Sequence, residues 1–373
     1  MAERWLSTNL LRPFFKKGQD TPFLIPGTLS SKSRLLAIDT GDLSDLLWQV
    51  PLLRGIQATY PGCRVDFLAP EEHTPLIAPC GLARQCLVYT AKQLRPLTPA
   101  FWSLLRSVRQ SGYDVALVMS LSPQPICELI ALASGAVLRL GPAHHRAYPA
   151  VNFEIRPPDR KTVYLGDRSV VAAPFLGLET NGLERAWPLP DDKVRRVRQL
   201  VHFNKPRKDE LLVGVDSGLG KSGHGLSLQN LHFLIQQLTS QAPCRVLPLS
   251  TPRHRDRMAR LASKLTSSVP GLVQETLLDT VLLLTQCDLF VAGNTDLFHF
   301  AVALDVPTIG LFTVQDGQEW DPGPRPAARV LRVAKGQRVD IDTLMEAVET
   351  VTASRSDPGQ ESGVTAGGAK EPT

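Results

Sequence analysis

The stretch CDLFVAGNTDLFHFAVALDVPTIGLF, residues 287–312, predicts a strand, a tight loop, a short helix and a second strand. Its apolar runs at residues 288–292 and 308–312 have the composition of buried strands, and residues 297–304 that of a helix. Two such strands joined by a helix form a βαβ unit of a parallel sheet. Because ligands bind at the carboxyl ends of such strands, residues 293–299 are a candidate site for an anion such as a diphosphate.

Strands and helices alternate on both sides of this unit. The first strand is predicted at residues 35–38, and a second series begins at residues 211–215. This alternation is typical of parallel α/β sheets, so we expect two α/β domains of similar size with a cleft between them. A tail rich in Gly, Ser, Glu and Pro is predicted to be disordered. The expected parts are an N-terminal extension at residues 1–32, a first domain at 33–150, a crossing segment at 151–210, a second domain at 211–350 and the tail at 351–373.

Composition and motifs exclude several classes of protein. Hydrophobic residues make up 43% of the chain and charged residues 21%, as in ordinary globular proteins. The net charge is +5 with no long Lys/Arg run, so no nucleic-acid partner is expected, and Arg253-His254-Arg255 is interpreted as a solvated face. Neither GxGxxG after a first strand nor GxxxxGK[ST] occurs, which argues against a dinucleotide-binding dehydrogenase and a P-loop NTPase.

Cysteine usage and hydropathy indicate a cytoplasmic protein. The six cysteines form no CxxC pair and lie in apolar surroundings, so we expect buried free thiols in a reducing compartment. No run of 18 uncharged apolar residues occurs, so no membrane span is expected. Residues 1–18 lack the apolar core of a signal peptide, but they are compatible with an amphipathic helix on a membrane surface.

Four segments in order along the chain resemble glycosyltransferase family 9, the ADP-heptose:lipopolysaccharide heptosyltransferases. They are the loop and proline-containing helix at residues 39–53, the stretch LLRGIQATYPGCRVDFLA at 52–69, Tyr113-Asp114-Val115 before a strand, and residues 287–312 followed by TVQDGQEWDP at 313–322. Each segment is weak alone, and the assignment depends on their shared order and spacing. The resemblance covers about residues 34–345.

The resemblance implies a GT-B fold: two Rossmann-like domains whose parallel sheets face a central cleft. It implies an inverting, metal-independent transfer without a cofactor. The donor would be a nucleotide-sugar such as ADP-heptose, and the acceptor a glycolipid or oligosaccharide such as the lipopolysaccharide core. Such an enzyme would work in the cytoplasm, with peripheral contact at the cytoplasmic face of the inner membrane.

On the acceptor side, the resemblance places Asp45 at the position of the catalytic aspartate. Such a carboxylate would take the proton of the acceptor hydroxyl, whereas the residues alone favour a helix cap. Ser44 stands where the family has glycine, and Asp39 and Asp42 are alternative bases. Thr40 and Gly41 are candidates to direct backbone N–H groups at a ligand.

On the donor side, Ser217 and Gly218 follow the first strand of the second domain, where the family has a turn and then a lysine near the donor phosphates. Ungapped alignment puts His224 at that lysine, and Lys221 lies three residues earlier. A cation there would neutralise the leaving diphosphate. A flexible glycine-rich surface loop is the alternative interpretation.

The loop of the opening stretch resembles the family's Asp-Thr-Gly-x-x-His motif. Thr295 and His299 match it, Asn294 stands where aspartate is common, and Asp296 stands at the glycine. Thr295 and His299 would contact the diphosphate or the sugar, although a lone helix histidine is more often structural. Two further hypotheses stay open: a transfer-inactive binding or scaffold protein, and a glycosyltransferase with another donor and acceptor.

Overall fold

The structure is a computed structural model of the chain. It describes residues 28–96, 98–120, 122–156, 164–179, 185–204, 210–218, 227–241, 243–265, 274–323, 325–334 and 339–353. The N-terminal segment at residues 1–18 and the tail beyond residue 353 therefore lie outside the described residues.

Six parallel strands form the first sheet, in the order β3-β2-β1-β4-β5-β6. The strands are β1 (Arg34–Asp39), β2 (Arg64–Pro70), β3 (Gln85–Tyr89), β4 (Val115–Met119), β5 (Leu138–Pro142) and β6 (Phe153–Ile155). Strands β3 and β6 were missing from the sequence interpretation. Since β6 pairs with β5, the first sheet extends beyond residue 150.

The helices that connect these strands are α1 (Leu43–Trp48), α2 (Val50–Thr59), α3 (Thr74–Ile77), α4 (Pro99–Gln110) and α5 (Pro125–Ser134). The sequence predicted one helix across α1 and α2, but the chain breaks at Gln49. Pro51 lies in the first turn of α2 and has no N–H to continue the hydrogen bonding of α1, which explains the break. Helix α5 ends at Gly135, whose φ of 76° is the left-handed conformation that favours glycine.

Five parallel strands form the second sheet, in the order β11-β10-β9-β7-β8. They are β7 (Leu211–Asp216), β8 (Cys244–Leu249), β9 (Leu289–Ala292), β10 (Thr308–Thr313) and β11 (Ala328–Val333). The parallel pairing of β9 with β10 confirms the βαβ unit predicted from the opening stretch.

Helix α6 (Asp191–Asn204) lies between the two sheets in sequence, after three short 3-10 helices. The second half then contains α7 (Leu228–Gln241), α8 (Arg255–Ala262), α9 (Leu277–Leu284), α10 (Asp296–Ala303) and α11 (Ile341–Ala353). Capping starts α9 and α10. Thr276 and Asp279 form a reciprocal capping box at α9, and the Thr295 hydroxyl accepts from the Phe298 N–H at α10.

Each sheet is covered on both faces. Along β1, Leu35 and Ala37 point into a large central core, whereas Leu36 and Ile38 point into a separate core with α4 and α5. This period of two is the pleat of a strand buried on both faces. The central core continues into the second half through residues such as Phe298 and Phe300 of α10, so the two halves share buried apolar surface.

Two further expectations can be compared with the structure. All six cysteines are free thiols, five of them buried and Cys86 half-buried, which confirms the predicted thiol state. Within the described residues, no helix has both the length and the apolar character needed to cross a membrane.

Candidate active site

The order of the strands in each sheet indicates where a ligand would bind. In the first sheet the direction of winding reverses between β1 and β4, and in the second between β7 and β9. Ligands of open α/β sheets bind outside the carboxyl ends of the strands at such reversal points. The carboxyl ends of the two sheets face each other. Asp296, which follows β9, contacts Ser44, which follows β1. The cleft expected from the sequence is therefore lined by these loops.

The acceptor-side loop, residues 39–45, is rigid at its start. The Asp39 carboxylate accepts from the Gly41 N–H at 2.8 Å and contacts His73 Nδ1 at 2.6 Å. Asp39 is fully buried, and Gly41 has a φ of 84° that suits glycine. Burial of His73 would lower its pKa, but the hydrogen bond to Asp39 and the charges of Asp39 and Glu72 raise that pKa above its ordinary value. Asp39 thus braces the loop from within.

Asp45 lies in the first turn of α1, three residues after the N-cap residue Asp42. Asp42 caps α1 by accepting from the N–H groups of Ser44 and Asp45. The Asp45 carboxylate accepts a 2.6 Å hydrogen bond from the Ser120 hydroxyl, which follows β4, and Asp45 is 8% exposed. Asp42 therefore takes the capping role that the residues alone had suggested for Asp45. The Asp45 carboxylate is held between the ends of β1 and β4.

Thr40 and Gly41 differ in what they could give a ligand. The Gly41 N–H is used by Asp39 within the loop. The Thr40 hydroxyl oxygen is buried and has no hydrogen-bond partner among the described residues. Their contact with a ligand stays a prediction, and the Thr40 side chain has more hydrogen-bonding capacity left than the Gly41 N–H.

On the donor side, Asp216 ends β7 and accepts from the Gly218 N–H at 2.7 Å and from the Thr295 hydroxyl. Burial raises the pKa of Asp216 to about 6, and the nearby Asp296 carboxylate adds to this increase. Ser217 is fully buried, and its hydroxyl has no partner within the part of the chain that is described. Lys221 and His224 lie outside the described residues, so their role stays a prediction.

A buried network joins the remaining donor-side candidates. The Asn294 amide nitrogen donates to Asp316 at 2.9 Å, and the Asn294 oxygen contacts His299 Nε2 at 3.1 Å. Since an amide oxygen only accepts, Nε2 carries the proton, and Nδ1 accepts from the Tyr164 hydroxyl at 2.8 Å. Asn294 is 2% exposed and His299 is fully buried. These side chains brace the loop, and their direct contact with a donor stays a prediction.

A sequence model of glycosyltransferase family 9 (heptosyltransferase) matches residues 230–344. A putative glycosyltransferase of Haemophilus influenzae is 31% identical over 291 residues, which are 75% of this chain and 82% of the relative. The chain belongs to glycosyltransferase family 9. This finding confirms the resemblance and identifies the protein as a glycosyltransferase, similar to heptosyltransferases.

Solved structures have the same fold as this family 9 protein. A family 9 glycosyl transferase from Veillonella parvula superposes with a TM-score of 0.70 at 13% identity, covering 87% of this chain and 98% of that one. The ADP-heptose LPS heptosyltransferase II of E. coli superposes with a TM-score of 0.64 at 17% identity, covering 87% and 99%. The two parallel sheets facing a cleft are therefore the predicted GT-B fold.

Two arginines at the candidate site of this family 9 protein were missed from the sequence. Arg253, interpreted there as part of a solvated face, crosses the cleft: its guanidinium donates to the Gly41 carbonyl oxygen at 3.1 Å and to Glu72 at 2.6 Å. Arg257 donates through Nε to the Ser217 carbonyl oxygen. The available signal was their position between the end of β8 and the first turn of α8, on the same side of the sheet as residues 293–299, the donor loop.

An aromatic cluster joins the two halves behind the donor loop of the glycosyltransferase. Trp48 of α1 lies edge-on to His299 at 5.4 Å between ring centroids, and Trp320 packs against both rings at 5.8 Å. Tyr164 of the crossing segment completes the cluster through His299. His299 therefore contacts the first half of the chain, the crossing segment and the donor loop together. This position accounts for the burial of His299.

Proposed function

We propose that the protein is an inverting, metal-independent glycosyltransferase. It moves a sugar, with heptose the first candidate, from an ADP-linked donor to a lipopolysaccharide core or related glycan. Family membership supports the transfer, and the name of the E. coli structure, an ADP-heptose LPS heptosyltransferase, supports the choice of donor and acceptor. The reaction would take place in the cytoplasm, at the inner face of the membrane that carries such an acceptor.

The observation that carries this proposal is the meeting of two loops across the cleft. Ser44, next to Asp45, lies 2.7 Å from Asp296 of the donor loop. A carboxylate on the first sheet and a helix N-terminus on the second sheet therefore face the same space. A sugar acceptor and a nucleotide-sugar donor need this arrangement, because the two reacting atoms must be brought within van der Waals distance.

In the proposed step, the acceptor hydroxyl oxygen forms a bond to the anomeric carbon of the donor sugar. The bond from that carbon to the diphosphate oxygen breaks, and the nucleoside diphosphate leaves with the electron pair. The hydroxyl proton passes to the Asp45 carboxylate, which Ser120 orients through its 2.6 Å hydrogen bond. The configuration at the anomeric carbon inverts because attack comes from the side opposite the leaving group.

Positive charge for the leaving diphosphate would come from side chains. Arg253 and Arg257 lie at the donor-side end of the cleft, and Lys221, which lies outside the described residues, is a further candidate. The structure describes no group of three or more His, Cys, Asp or Glu side chains placed to hold a metal ion. Metal independence is part of the proposal, and it is tested by measuring transfer with a chelator present.

One observation favours a second candidate function. Asp216 and Asp296 place two carboxylates at the donor loop, and each would repel a diphosphate. A family 9 protein whose donor carries less negative charge than a nucleoside diphosphate-sugar, such as a CMP-sugar, would fit this charge pattern. A thermal-shift screen of ADP-, GDP-, UDP- and CMP-sugars identifies which donor binds, since a bound ligand raises the apparent stability. A transfer assay with that donor then distinguishes an enzyme from a protein that binds nucleotide without transfer.

The decisive test is Asp45→Asn. We expect the change to lower transfer by about 100-fold to 10,000-fold, because it removes the base and keeps the shape. The dissociation constant of ADP, measured by calorimetry with a chelator present, should stay within about twofold. Undiminished turnover in this variant removes Asp45 from its role.

Two comparisons sharpen the result. Asp42→Asn makes the same change one turn earlier and retains a good helix cap, so a loss of transfer there alone would assign the base to Asp42. Asp256→Asn removes a carboxylate from the exposed start of α8 and is expected to leave transfer unchanged.

Absence of ADP binding by the wild-type protein at millimolar concentration rejects the proposed donor.

A further inference from the structure

Asp296 makes a contact that the family pattern, with glycine at this position, could not make. Its Oδ1 atom accepts from the Ser44 hydroxyl at 2.7 Å and from the Ser44 N–H at 3.2 Å. Ser44 also stands where the family has glycine. The two departures from the pattern, 252 residues apart in the chain, therefore contact each other across the cleft.

Ser44 is fully buried, so this contact is shielded from water on the acceptor side. Asp296 is the first residue of α10, and Ser44 lies in the first turn of α1, directly before Asp45. A charged acceptor with two donors from one residue makes a strong and directional contact. Movement of the donor loop is thereby coupled to the residue next to Asp45.

A second contact holds the same loop from the other end. Arg253 donates to the Gly41 carbonyl oxygen and to Glu72 of the first half. The hydrogen bond to Glu72 raises the pKa of Arg253, and the carboxylates of Asp296 and Asp42 add to the increase. Arg253 therefore offsets the repulsion between Asp42 and Asp296, whose carboxylates both accept from the Ser44 N–H.

We propose that Asp296 is a positioning residue: with Arg253 it forms a clasp that holds residues 41–45 against the donor loop and so orients Asp45 for transfer. The part of this inference that concerns transfer rests on the proposed function. The clasp itself needs no ligand, because all of its donors and acceptors belong to the chain. The contact between the two halves at this site therefore forms without a ligand.

The first measurement is amide hydrogen exchange in the peptide that covers residues 40–47, without ligand. Loss of a hydrogen bond to a charged group predicts exchange about 10-fold to 100-fold faster in Asp296→Ala. Ser44→Ala combined with Asp296→Ala should exchange no faster than Asp296→Ala alone, since both changes remove one contact. Asp296→Asn keeps an accepting oxygen and should recover part of the protection.

The second measurement separates positioning from folding. In Asp296→Ala, kcat should fall by about tenfold or more, with partial recovery of kcat in Asp296→Asn, while ADP binding is not weakened by more than about twofold, because the change removes a carboxylate that repels the diphosphate. A merely structural role would instead weaken ADP binding and kcat together. Asp256→Ala, which removes an exposed carboxylate in the same half of the chain, should match the wild type in both measurements.

Exchange in Asp296→Ala at the wild-type rate overturns the clasp. Faster exchange with an unchanged kcat overturns the positioning role, because the loop would then move without consequence for Asp45. A wild-type protein that binds no nucleotide contradicts the proposed function on its own, and the exchange rates still decide whether the clasp exists.

Discussion

Asp216 should make the stability of this protein fall as the pH rises. Its carboxyl group is 3% exposed, and burial raises its pKa from the ordinary value of 3.8 to about 6. The folded state therefore binds a proton more tightly than the unfolded state does. The resulting stabilisation is fully present below about pH 3.8 and is lost as the pH rises through about 6.

The size of the effect follows from the pKa shift. One pKa unit corresponds to about 1.4 kcal/mol, so the full effect is limited to about 3 kcal/mol. Between about pH 5 and pH 7.5, wild-type unfolding free energy should lose about 1.4 kcal/mol from this group alone. Asp216→Asn keeps an oxygen that can accept from the Gly218 N–H and removes the titration.

The assay is urea unfolding of the wild type and Asp216→Asn at both pH values. The difference in unfolding free energy between variant and wild type should shift in favour of the variant by about 1.4 kcal/mol at the higher pH. Any effect of the substitution on the unfolding free energy that does not depend on pH cancels in this comparison. A difference that does not change with pH would refute the claim that Asp216 ionises at a cost in the folded protein.

Asp340 provides a control of opposite sign. Its carboxylate accepts from the Thr343 N–H and hydroxyl, and these bonds lower the pKa of Asp340. The stabilisation from Asp340 is therefore present above its ordinary pKa and is lost as the pH falls. Asp340→Asn should accordingly cost more stability at about pH 5 than at about pH 2, and its cost should stay constant between about pH 5 and pH 7.5, where that of Asp216→Asn changes.

Two further predictions concern packing around the donor loop. Gly310→Ala should lower the free energy of unfolding in urea by about 1–3 kcal/mol, because the new Cβ would lie 2.6 Å from the Phe298 ring. The control Gly293→Ala should change the free energy of unfolding little, because the nearest atom to its Cβ would be 3.8 Å away. Tyr164→Phe should lower the free energy of unfolding by about 1–3 kcal/mol, because it leaves the buried Nδ1 atom of His299 without its hydrogen-bond donor. An unchanged midpoint of urea unfolding would show that this hydrogen bond does not form in solution.

Much of the fold could be predicted because the signals are local. Continuous apolar runs such as those of β7 and β9 identify strands buried on both faces, and the helix that follows β9 identifies a parallel crossover. Strand β11 was missed because arginines interrupt its apolar pattern, and only its pairing with β10 reveals it. The break between α1 and α2 was also missed, although Pro51 was visible.

The candidate site could be placed from sequence but not resolved into roles. Loops at the carboxyl ends of the strands were predicted to line one cleft, because parallel strands bring those ends together, and the structure shows Ser44 after β1 in contact with Asp296 after β9. Whether a side chain in these loops is free to contact a ligand depends on its hydrogen-bond partners, which are distant in the sequence. His299 was predicted to contact the donor, and only the structure shows that its two ring nitrogens hydrogen-bond Tyr164 and Asn294. Arg253 was interpreted as a surface residue, and it crosses the cleft.

The sequence by itself determined the class of fold, the free state of the cysteines and the positions of the two loops that form the candidate site, because burial patterns and loop positions are properties of neighbouring residues. Only the tertiary structure decided which polar atoms pair across the cleft. Ser44 and Asp296 lie on different sheets, and their 2.7 Å contact depends on how the shared core and the aromatic cluster orient one sheet against the other. No local pattern records that orientation, so the clasp was absent from the sequence analysis.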